Sequence, residues 1–449
     1  MATRTGGAKL DKRRIIVDCT HTFHTGAFTG IQRVVRNLTE ALLRVAQSSG
    51  LQVVPVRVAR GGLVALAIVE GRVAFPRAIS AREATSAHQR SGNAARRLGT
   101  ALSSAIGLQV FSRWLEAGPN ANGLERLAAR LTPQARDSNA IEFSPSDVLL
   151  CLDSSWIYDI RSILDEAGRA GAKRAMMFQD FLPLSHPEWF TQGTRRYFAG
   201  WVDAVLPRLD LAFVTTHASG EDLRALFDAR RIAARRLPPV EVVRLGAEIG
   251  RGNAAAPRPE LAAMLAAGRA PAFLTVGTVE PRKNIDFALD LFDALCARGF
   301  DFQWHFVGAH GWGSEHTVHR IRAHPEFGHR LQWWTDVSDA ELEWCYAHAA
   351  ALVAPSRGEG FGLPLVEARL RGLPVFASDI PVFREVLGTE GRYLPLTSAA
   401  LAAAALEDFL LGVPPAAGRG AVSRVARKWE ESASELLAKL DALSSSARS

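Results

Sequence analysis

The stretch SRGEGFGLPLVEARLRG (356–372) carries two glutamates, eight residues apart, around a glycine-rich turn. A turn that only reverses the chain needs neither carboxylate. Pro364 suits the start of a helix and Gly372 the position after its end, which predicts a turn followed by a short helix. Glu359 then lies on the loop and Glu367 one turn inside the helix. Two carboxylates so placed suit a ligand with hydroxyl groups at both ends and negative charge between them.

The backbone of this turn is a candidate anion site, because amide groups at a helix start lack partners within the helix and the helix dipole favours negative charge there. Glu367 can accept hydrogen bonds from the two hydroxyls of a ribose, and Glu359 can reach a different polyol beyond the phosphates. The pattern fits a sugar nucleotide. The alternative is a capped helix with a chance glutamate, and this stretch alone does not decide between them. The amide groups belong to Gly360, Phe361, Gly362 and Leu363.

A second motif, TVGTVEPRKN (275–284), ends another predicted strand and brings Arg282 and Lys283 into a loop. Adjacent cations at the carboxyl end of a strand can neutralise a diphosphate, with arginine acting as a bidentate donor and lysine as a point charge. A solvated basic turn is the alternative interpretation. That alternative becomes improbable if the basic turn and the glutamate turn lie at the same edge of one sheet.

The segments that position these motifs alternate between short apolar runs and helical periodicity, which predicts mostly parallel sheets in an α/β fold. In the first helical pattern, Thr29 is a candidate cap before Ile31 and Leu38. Ligands of such sheets bind at the carboxyl ends of the strands. Strands are predicted at 14–19, 51–59, 146–153, 173–180, 211–216 and 240–246, and then at 272–277, 302–308, 331–336, 351–356 and 373–379.

The chain of 449 residues is too long for one ordinary core, which predicts two Rossmann-like domains that face each other across a cleft. The first covers 1–250, with a helical insertion at about 75–140 that is rich in Ala, Arg, Ser and Gly. The second covers 251–425 and opens on a polar linker at 251–260. One amphipathic helix at 426–449 is expected to pack back on the first domain.

The composition excludes several classes of protein. The net charge of +7 rests on arginine, since only six of the 53 basic residues are lysine, and no nucleic-acid-binding motif accompanies it. Attraction to an anionic membrane surface remains open. No apolar run approaches the roughly 20 residues of a spanning helix, and the N-terminus lacks a signal sequence. The four cysteines, which lack metal-ligand spacing, indicate a reduced, cytoplasmic protein without a metal site; they are Cys19, Cys151, Cys296 and Cys345.

At this point the sequence resembles a known family. The motif VGTVEPRKN, the segment 335–386 and the KWEESA tail are similar to glycosyltransferase family 4, the retaining enzymes of the GT-B fold. The pieces THTFHTGAFTGIQRVVRNL, SDVLLCLDSSW and FQDFLPLSHPEWF resemble the subgroup that builds bacterial surface polysaccharides and often transfers mannose, rhamnose or related sugars. The resemblance implies an α/β GT-B fold and a hexosyltransferase.

The resemblance also implies roles for the motif residues. Glu359 would contact the hydroxyls of the donor sugar and Glu367 would hold the ribose. Arg282 and Lys283 would bind the diphosphate. The remaining implied contacts come from the first loop of each domain, namely Gly26, Thr29 and Gly30 towards the phosphate or the acceptor, and Gly277 and Thr278 towards the donor.

The sequence departs from the family at two positions. Thr278 stands where many relatives carry arginine, so Arg282 and Lys283 must supply more of the charge. Gln179 and Asp180 stand where many relatives have a His-Asp pair, which leaves the role of the usual histidine unassigned. Asp180 would be the base of an inverting route, although the family favours retention. Three histidines on loops near the cleft have no assigned role, namely His21, His24 and His186.

The expected function is transfer of a hexose, with mannose from GDP-mannose as the first choice, to a glycan or lipid-linked acceptor. No metal cofactor is expected, because the two adjacent cations replace a divalent ion at the diphosphate. Peripheral contact with the inner face of the membrane is compatible with this function, and a nucleic-acid partner is not expected. The alternatives are a non-catalytic protein that binds sugar nucleotides or polysaccharide, and a sugar-nucleotide epimerase of the same fold. A phosphorylase would need a pyridoxal-phosphate lysine, and the chain offers few lysines.

Overall fold

The computed structural model describes residues 13–25, 30–59, 62–75, 140–230, 237–249, 256–264, 270–412 and 427–445. Within them the chain forms two α/β units, each built on its own parallel sheet. Gly26 and Thr29, half of the predicted linker and nearly all of the predicted insertion at 75–140 lie outside the described residues.

The first sheet has the strand order β3-β2-β1-β6-β7-β8-β9, and the second has the order β12-β11-β10-β13-β14-β15. All neighbouring strands are parallel except β2 and β3, which form an antiparallel pair. A separate small hairpin joins β4 to β5. The strands are β1 (Arg14–Asp18), β2 (Gln52–Ala59), β3 (Gly62–Ala65), β4 (Ile68–Val69), β5 (Arg72–Val73), β6 (Val148–Cys151), β7 (Lys173–Phe178), β8 (Leu211–Val214), β9 (Val240–Val242), β10 (Ala272–Val276), β11 (Gln303–Val307), β12 (Leu331–Trp334), β13 (Ala351–Ala354), β14 (Val375–Ser378) and β15 (Arg392–Leu394).

Helices follow most strands and cover both faces of each sheet, as parallel sheets require. The helices are α1 (Thr20–Thr25), α2 (Gly30–Ala46), α3 (Ile160–Arg169), α4 (Leu182–Ser185), α5 (Gln192–Val205), α6 (His217–Arg230), α7 (Pro259–Met264), α8 (Ile285–Ala297), α9 (Glu315–Ala323), α10 (Asp339–His348), α11 (Leu363–Leu370), α12 (Pro381–Leu387), α13 (Ala399–Leu410) and α14 (Trp429–Ser445). In the described parts of the chain, no helix combines the length and the apolar character needed to cross a bilayer.

Every predicted strand is present, and the mostly parallel arrangement is confirmed. Three features were not predicted. The β2–β3 pair and the β4–β5 hairpin extend the first sheet region, and β15 adds an edge strand of only three residues, too short to show alternation. The predicted linker at 251–260 was wrong at its end, because α7 begins at Pro259, a residue that suits a helix start.

The strands are uniformly apolar because they are buried on both faces. In β1, Ile15, Ile16 and Val17 are completely buried, and in β13, Leu352 and Val353 are too. Each sheet separates two apolar clusters, one on each of its faces. The carboxyl ends of the strands are therefore free to present loops to the space between the two units.

The C-terminal helix α14 packs on the first unit, beside α2. Leu436 and Leu440 are completely buried in the same cluster as Leu38 and Leu42 of α2. The indole Nε1 of Trp429 donates to the carbonyl of Glu248 at 2.9 Å. The chain thus crosses from the second unit back to the first.

The packing of α14 predicts a large loss of stability when its apolar face is truncated. Leu440→Ala should lower the free energy of unfolding by about 2–5 kcal/mol, because a fully buried leucine leaves a cavity. Leu401→Ala is the matched control, since Leu401 lies on helix α13 and is 63% exposed, and it should change stability by less than about 0.5 kcal/mol. Urea denaturation measures both. Equal effects would show that α14 does not contribute to the core.

Candidate active site

The two sequence motifs follow neighbouring strands of the second sheet, β10 and β13, so their loops lie side by side. The amide of Arg357 donates to the carbonyl of Arg282 at 2.7 Å. The side-chain amide of Asn284 donates to the carbonyl of Pro355 at 3.1 Å, and Asn284 adopts a left-handed conformation with φ of 55° that asparagine tolerates. These bonds fix the position of the basic turn against the glutamate turn.

The carboxylate of Glu359 is the meeting point of the two loops. Its Oε1 pairs with Nζ of Lys283 and its Oε2 with Nη1 of Arg282, each at 2.5 Å. The hydroxyl of Ser356 also donates to Oε1 at 2.9 Å. Burial alone would raise the pKa of Glu359, but the two cations outweigh burial and lower the pKa to about 2. Glu359 is therefore ionised throughout the neutral range.

Two further carboxyl groups surround the same cations, and one of them was not predicted. Glu280 is 3% exposed and pairs with Nη2 of Arg282 at 2.6 Å. Asp180, from the first unit, accepts a hydrogen bond from the amide of Leu182 at 3.1 Å and interacts electrostatically with Arg282. Burial raises the pKa of both carboxyl groups, and the cations only partly oppose it. The cluster thus sets two cations against three carboxyl groups, two of which take up a proton more readily than usual.

The aliphatic part of the Lys283 side chain lies against the backbone of Gly277, where a side chain on residue 277 would crowd it. A Cβ on Gly277 would lie 3.0 Å from Cε of Lys283, and the residue has φ of 150°. Thr278, which follows it, is half-buried on the same loop. A small cavity, with about 310 Å³ of empty space including its mouth, opens here between the two loops. It is lined by Gly277, Lys283, Ser356, Glu359, Gly362 and Pro364, among others.

The glutamate turn leads into α11 as the sequence predicts. Gly362 is left-handed with φ of 90°, and Pro364 stands in the first turn of the helix. Gly360 is buried against the first unit, where a Cβ would lie 1.8 Å from the carbonyl oxygen of Gln179. Glycine is therefore required by the close approach of the opposite unit. This differs from the expectation that the amides of the turn face open solvent.

The carbonyl of Gly360 is held by three hydroxyl groups of the first unit. Thr215 donates at 3.0 Å, and Thr216 and Ser219 donate at 3.2 Å each. Next to them, the carboxylate of Glu385 accepts from the first two amides of α6 at 2.8 and 3.1 Å. A carboxylate at a helix start is a favourable contact. These bonds close the two units onto each other beside Glu359.

Glu367 lies in the first turns of α11, but its partners were not predicted. The hydroxyl of Tyr346 donates to Oε2 at 2.8 Å from inside the second unit. Nη2 of Arg33, from α2 of the first unit, pairs with Oε1 at 2.6 Å. The side chains of Glu367 and Arg33 are 3% and 12% exposed. The carboxylate expected to hold a ribose is thus bound to an arginine from across the cleft.

The three histidines without an assigned role all belong to the first unit. His21 and His24 lie in helix α1, so the prediction of loop positions was wrong for both. Burial lowers the pKa of His21 to about 4, and it also lowers that of His24. His186 stacks on Trp189 with ring centroids 4.1 Å apart and has Nδ1 3.3 Å from Glu188. Gly30, from the predicted glycine loop, is the first residue of α2.

A second buried carboxyl pair lies at the ends of β1 and β6 and was missed by the sequence analysis. Burial, and then the charge of Asp153, raise the pKa of Asp18 to about 6. Asp153 accepts from the amide of Thr22 at 2.6 Å. Nδ1 of His21 lies 3.9 Å from Asp153. The described residues contain no group of three or more His, Cys, Asp or Glu side chains arranged to hold a metal ion.

Comparison with known proteins identifies the second unit. Residues 260–415 match the family model described as glycosyl transferases group 1. The serotype-specific mannosyltransferase WbdA of Escherichia coli is 34% identical over 274 residues, which are 60% of this chain and 34% of WbdA. The phosphatidyl-myo-inositol mannosyltransferase of Mycobacterium tuberculosis is 35% identical over 172 residues, which are 35% of this chain and 43% of that protein. The chain thus spans about a third of the length of WbdA.

The fold is similar to that of solved sugar-transferring enzymes. The alpha,alpha-trehalose-phosphate synthase (UDP-forming) of Burkholderia vietnamiensis superposes with a TM-score of 0.58 at 13% identity, over 98% of this chain and 99% of that one. The predicted GT-B fold is therefore confirmed. The resemblance found in the sequence is confirmed for residues 260–415, which match the family model of glycosyl transferases group 1.

The contact at Gly360 predicts that a methyl group would separate the two units. Gly360→Ala displaces the carbonyl of Gln179 and the three hydroxyl donors, at about 1 kcal/mol for each lost hydrogen bond. The distance between spin labels on the two units should therefore lengthen and broaden. Gly200→Ala, at a helical glycine of α5 with nothing within 4 Å, should leave that distance unchanged. Identical distance distributions for both variants would contradict the contact.

Proposed function

We propose that this protein is a retaining glycosyltransferase that moves a hexose from a nucleoside diphosphate sugar to a glycan or lipid-linked acceptor. The observation that carries the proposal is the carboxylate of Glu359, held between Arg282 and Lys283 on the loop that opens α11. Glu367 lies one turn inside α11. Hydroxyl-binding carboxylates therefore flank a basic loop and a helix start, the arrangement that a sugar nucleotide needs.

The diphosphate of the donor would lie between the two loops. The described start of α11 has no side-chain cap, and the helix dipole favours an anion there. Arg282 has five N–H donors and Lys283 has three, so each can contact a phosphate while it keeps Glu359. The cavity between the loops, lined by Gly277, Lys283 and Gly362, supports this position. No divalent ion is required in this arrangement.

The proposed donor is GDP-mannose. Its support is the similarity to WbdA and to the phosphatidyl-myo-inositol mannosyltransferase, both named as mannosyltransferases. The second relative, by its name, acts on a lipid, and WbdA is named as serotype-specific, which supports a surface polysaccharide or its lipid-linked precursor as acceptor. A net charge of +7 favours contact with anionic lipid at the inner membrane face. Flotation with anionic liposomes at low salt tests that contact. A protein that does not float with the liposomes would exclude it.

The charges of the site account for the chemistry. When the bond between the sugar C1 and the diphosphate oxygen breaks, positive charge develops on the sugar and negative charge on the diphosphate. Arg282, Lys283 and the amides at the start of α11 stabilise the leaving diphosphate. The ionised Glu359 can accept hydrogen bonds from the sugar hydroxyls beside it. The acceptor hydroxyl then forms a new bond to C1 on the face that the diphosphate leaves, and its proton passes to a phosphate oxygen.

Two other functions compete with transfer. A non-catalytic protein would bind the sugar nucleotide without releasing the nucleoside diphosphate, and an epimerase would convert the sugar nucleotide without an acceptor. An inverting transferase would use Asp180 as a base, and burial raises the pKa of Asp180 above its usual value. The assembled cluster of Glu359, Arg282 and Lys283 favours transfer over binding alone, because it places cations at the leaving group.

The proposal predicts acceptor-dependent release of GDP from GDP-mannose, and activity should survive EDTA. The assay compares GDP-mannose with UDP-glucose, with and without an acceptor extract. Partition of the product between butanol and water separates lipid-linked from free glycan. Failure of both GDP and UDP to raise the melting temperature at millimolar concentration would remove the proposal. Complete loss of activity in EDTA, restored by Mn²⁺, would show that Arg282 and Lys283 are not the phosphate ligands.

The two glutamates should differ in their kinetic effects. Glu359→Gln should lower kcat by about ten- to hundredfold, because the donor sugar gains charge only in the transition state. Glu367→Ala should mainly raise the KM for the donor, because the ribose does not change during the reaction. Glu407→Gln is the matched control, since Glu407 pairs with Arg298 outside the site. Melting temperatures check folding. A kcat for Glu359→Gln within twofold of wild type would make Glu359 a turn residue only.

A further inference from the structure

The ion pair between Arg33 and Glu367 joins the two units at the proposed ribose position. Arg33 lies in the first turn of α2, and Glu367 lies in α11. The distance from Nη2 to Oε1 is 2.6 Å, and both side chains are largely shielded from solvent. A buried ion pair is costly to break by removing one partner, because the other charge remains desolvated. If the ion pair breaks, each of its two charged groups therefore needs a new partner.

A ribose at Glu367 would compete with Arg33 for the carboxylate. The phenolic hydroxyl of Tyr346, itself 1% exposed, holds Oε2 from inside the second unit. The side of the carboxylate that faces the first unit is the side that Arg33 covers. A vicinal diol brings two O–H donors to that same side, since a carboxylate offers only acceptors. Ribose binding and the Arg33 contact thus compete for the same carboxylate.

Charge balance indicates where Arg33 goes. Around the proposed diphosphate position, Arg282 and Lys283 already face three carboxyl groups, those of Glu280, Glu359 and Asp180. A nucleoside diphosphate adds two more negative charges. Its phosphates are attached to the same ribose whose hydroxyls would occupy Glu367, so the displaced guanidinium lies next to them. Arginine can bind phosphate through two parallel hydrogen bonds.

We propose that Arg33 is a donor-binding residue of the first unit, which leaves Glu367 when the ribose binds and then pairs with the diphosphate. The inference rests on the proposed function, because it needs a nucleoside diphosphate in the cleft. It makes the donor itself the bridge between the units: the direct contact of α2 with α11 is replaced by a contact of α2 with the phosphates. The competing destination for Arg33 is Asp339, which also attracts it electrostatically.

The test separates the ribose from the phosphates. Binding of GDP and UDP, and of guanosine and uridine, is measured by calorimetry or competition on wild type, Arg33→Gln and Arg33→Lys. Arg33→Gln should weaken the binding of GDP and UDP by about ten- to hundredfold. It should bind the nucleosides at least as tightly as wild type, because Glu367 no longer has a competitor. Arg33→Lys keeps the positive charge but loses the planar guanidinium group. Its affinity for the diphosphates should therefore lie between those of wild type and Arg33→Gln.

Arg44→Gln is the matched control, because Arg44 lies on the same helix and pairs with Glu430 away from the cleft. Diphosphate binding that is unchanged or tighter in Arg33→Gln would show that Arg33 only competes for Glu367 and then moves to Asp339. Equal weakening of diphosphates and nucleosides would show a purely structural contact. If Arg33→Gln does not fold, Arg33→Lys gives the same discrimination. A folded wild type that binds neither GDP nor UDP would refute the proposed function itself, whereas wild-type transfer with an unaffected Arg33→Gln would refute only this inference.

Discussion

The ion cluster at Glu359 is the interaction on which the arrangement of the site depends. A carboxylate that is 8% exposed has to be paired, and its two oxygens are paired with Arg282 and Lys283 on a different loop. That pairing is available only because β10 and β13 are neighbours in a parallel sheet, whose carboxyl ends share one edge. The turn at Asn284 and the contact of Lys283 with Gly277 then follow as conditions for bringing the cations to the carboxylate.

The same loop joins the two units, so the electrostatics of the site and the closure of the cleft are linked. Gly360 directly follows Glu359 and carries the carbonyl that three hydroxyl groups of the first unit hold. The helix that follows carries Glu367, whose carboxylate pairs with Arg33. Any ligand that changes the position of this loop must therefore also change the contacts between the units. The position of this loop and the contact between the two units are therefore coupled, because they use the same residues.

The sequence was sufficient for the parts of the site that depend on local patterns. Strand periodicity and the position of the motifs after their strands predicted that Glu359 and the Arg282–Lys283 pair would meet. It was not sufficient for contacts that depend on how the units close. Helix α2 alone carries several arginines, and only its rotation and the closed cleft select Arg33 as the partner of Glu367. Glu280 has no signal of its own, since a glutamate before a proline turn is ordinary until burial places it on Arg282.

The two glutamates that frame the turn are held in different ways, and this difference has a physical consequence. Glu359 is neutralised by cations of its own unit, so its environment persists whether the cleft is open or closed. Glu367 is neutralised by an arginine of the opposite unit, so separation of the units would expose its charge to water. A hydrated carboxylate can accept hydrogen bonds from other donors, whereas the pair with Arg33 occupies Oε1. The contact between the two units therefore controls access to Glu367, whereas the ion pairs of Glu359 are formed within the second unit.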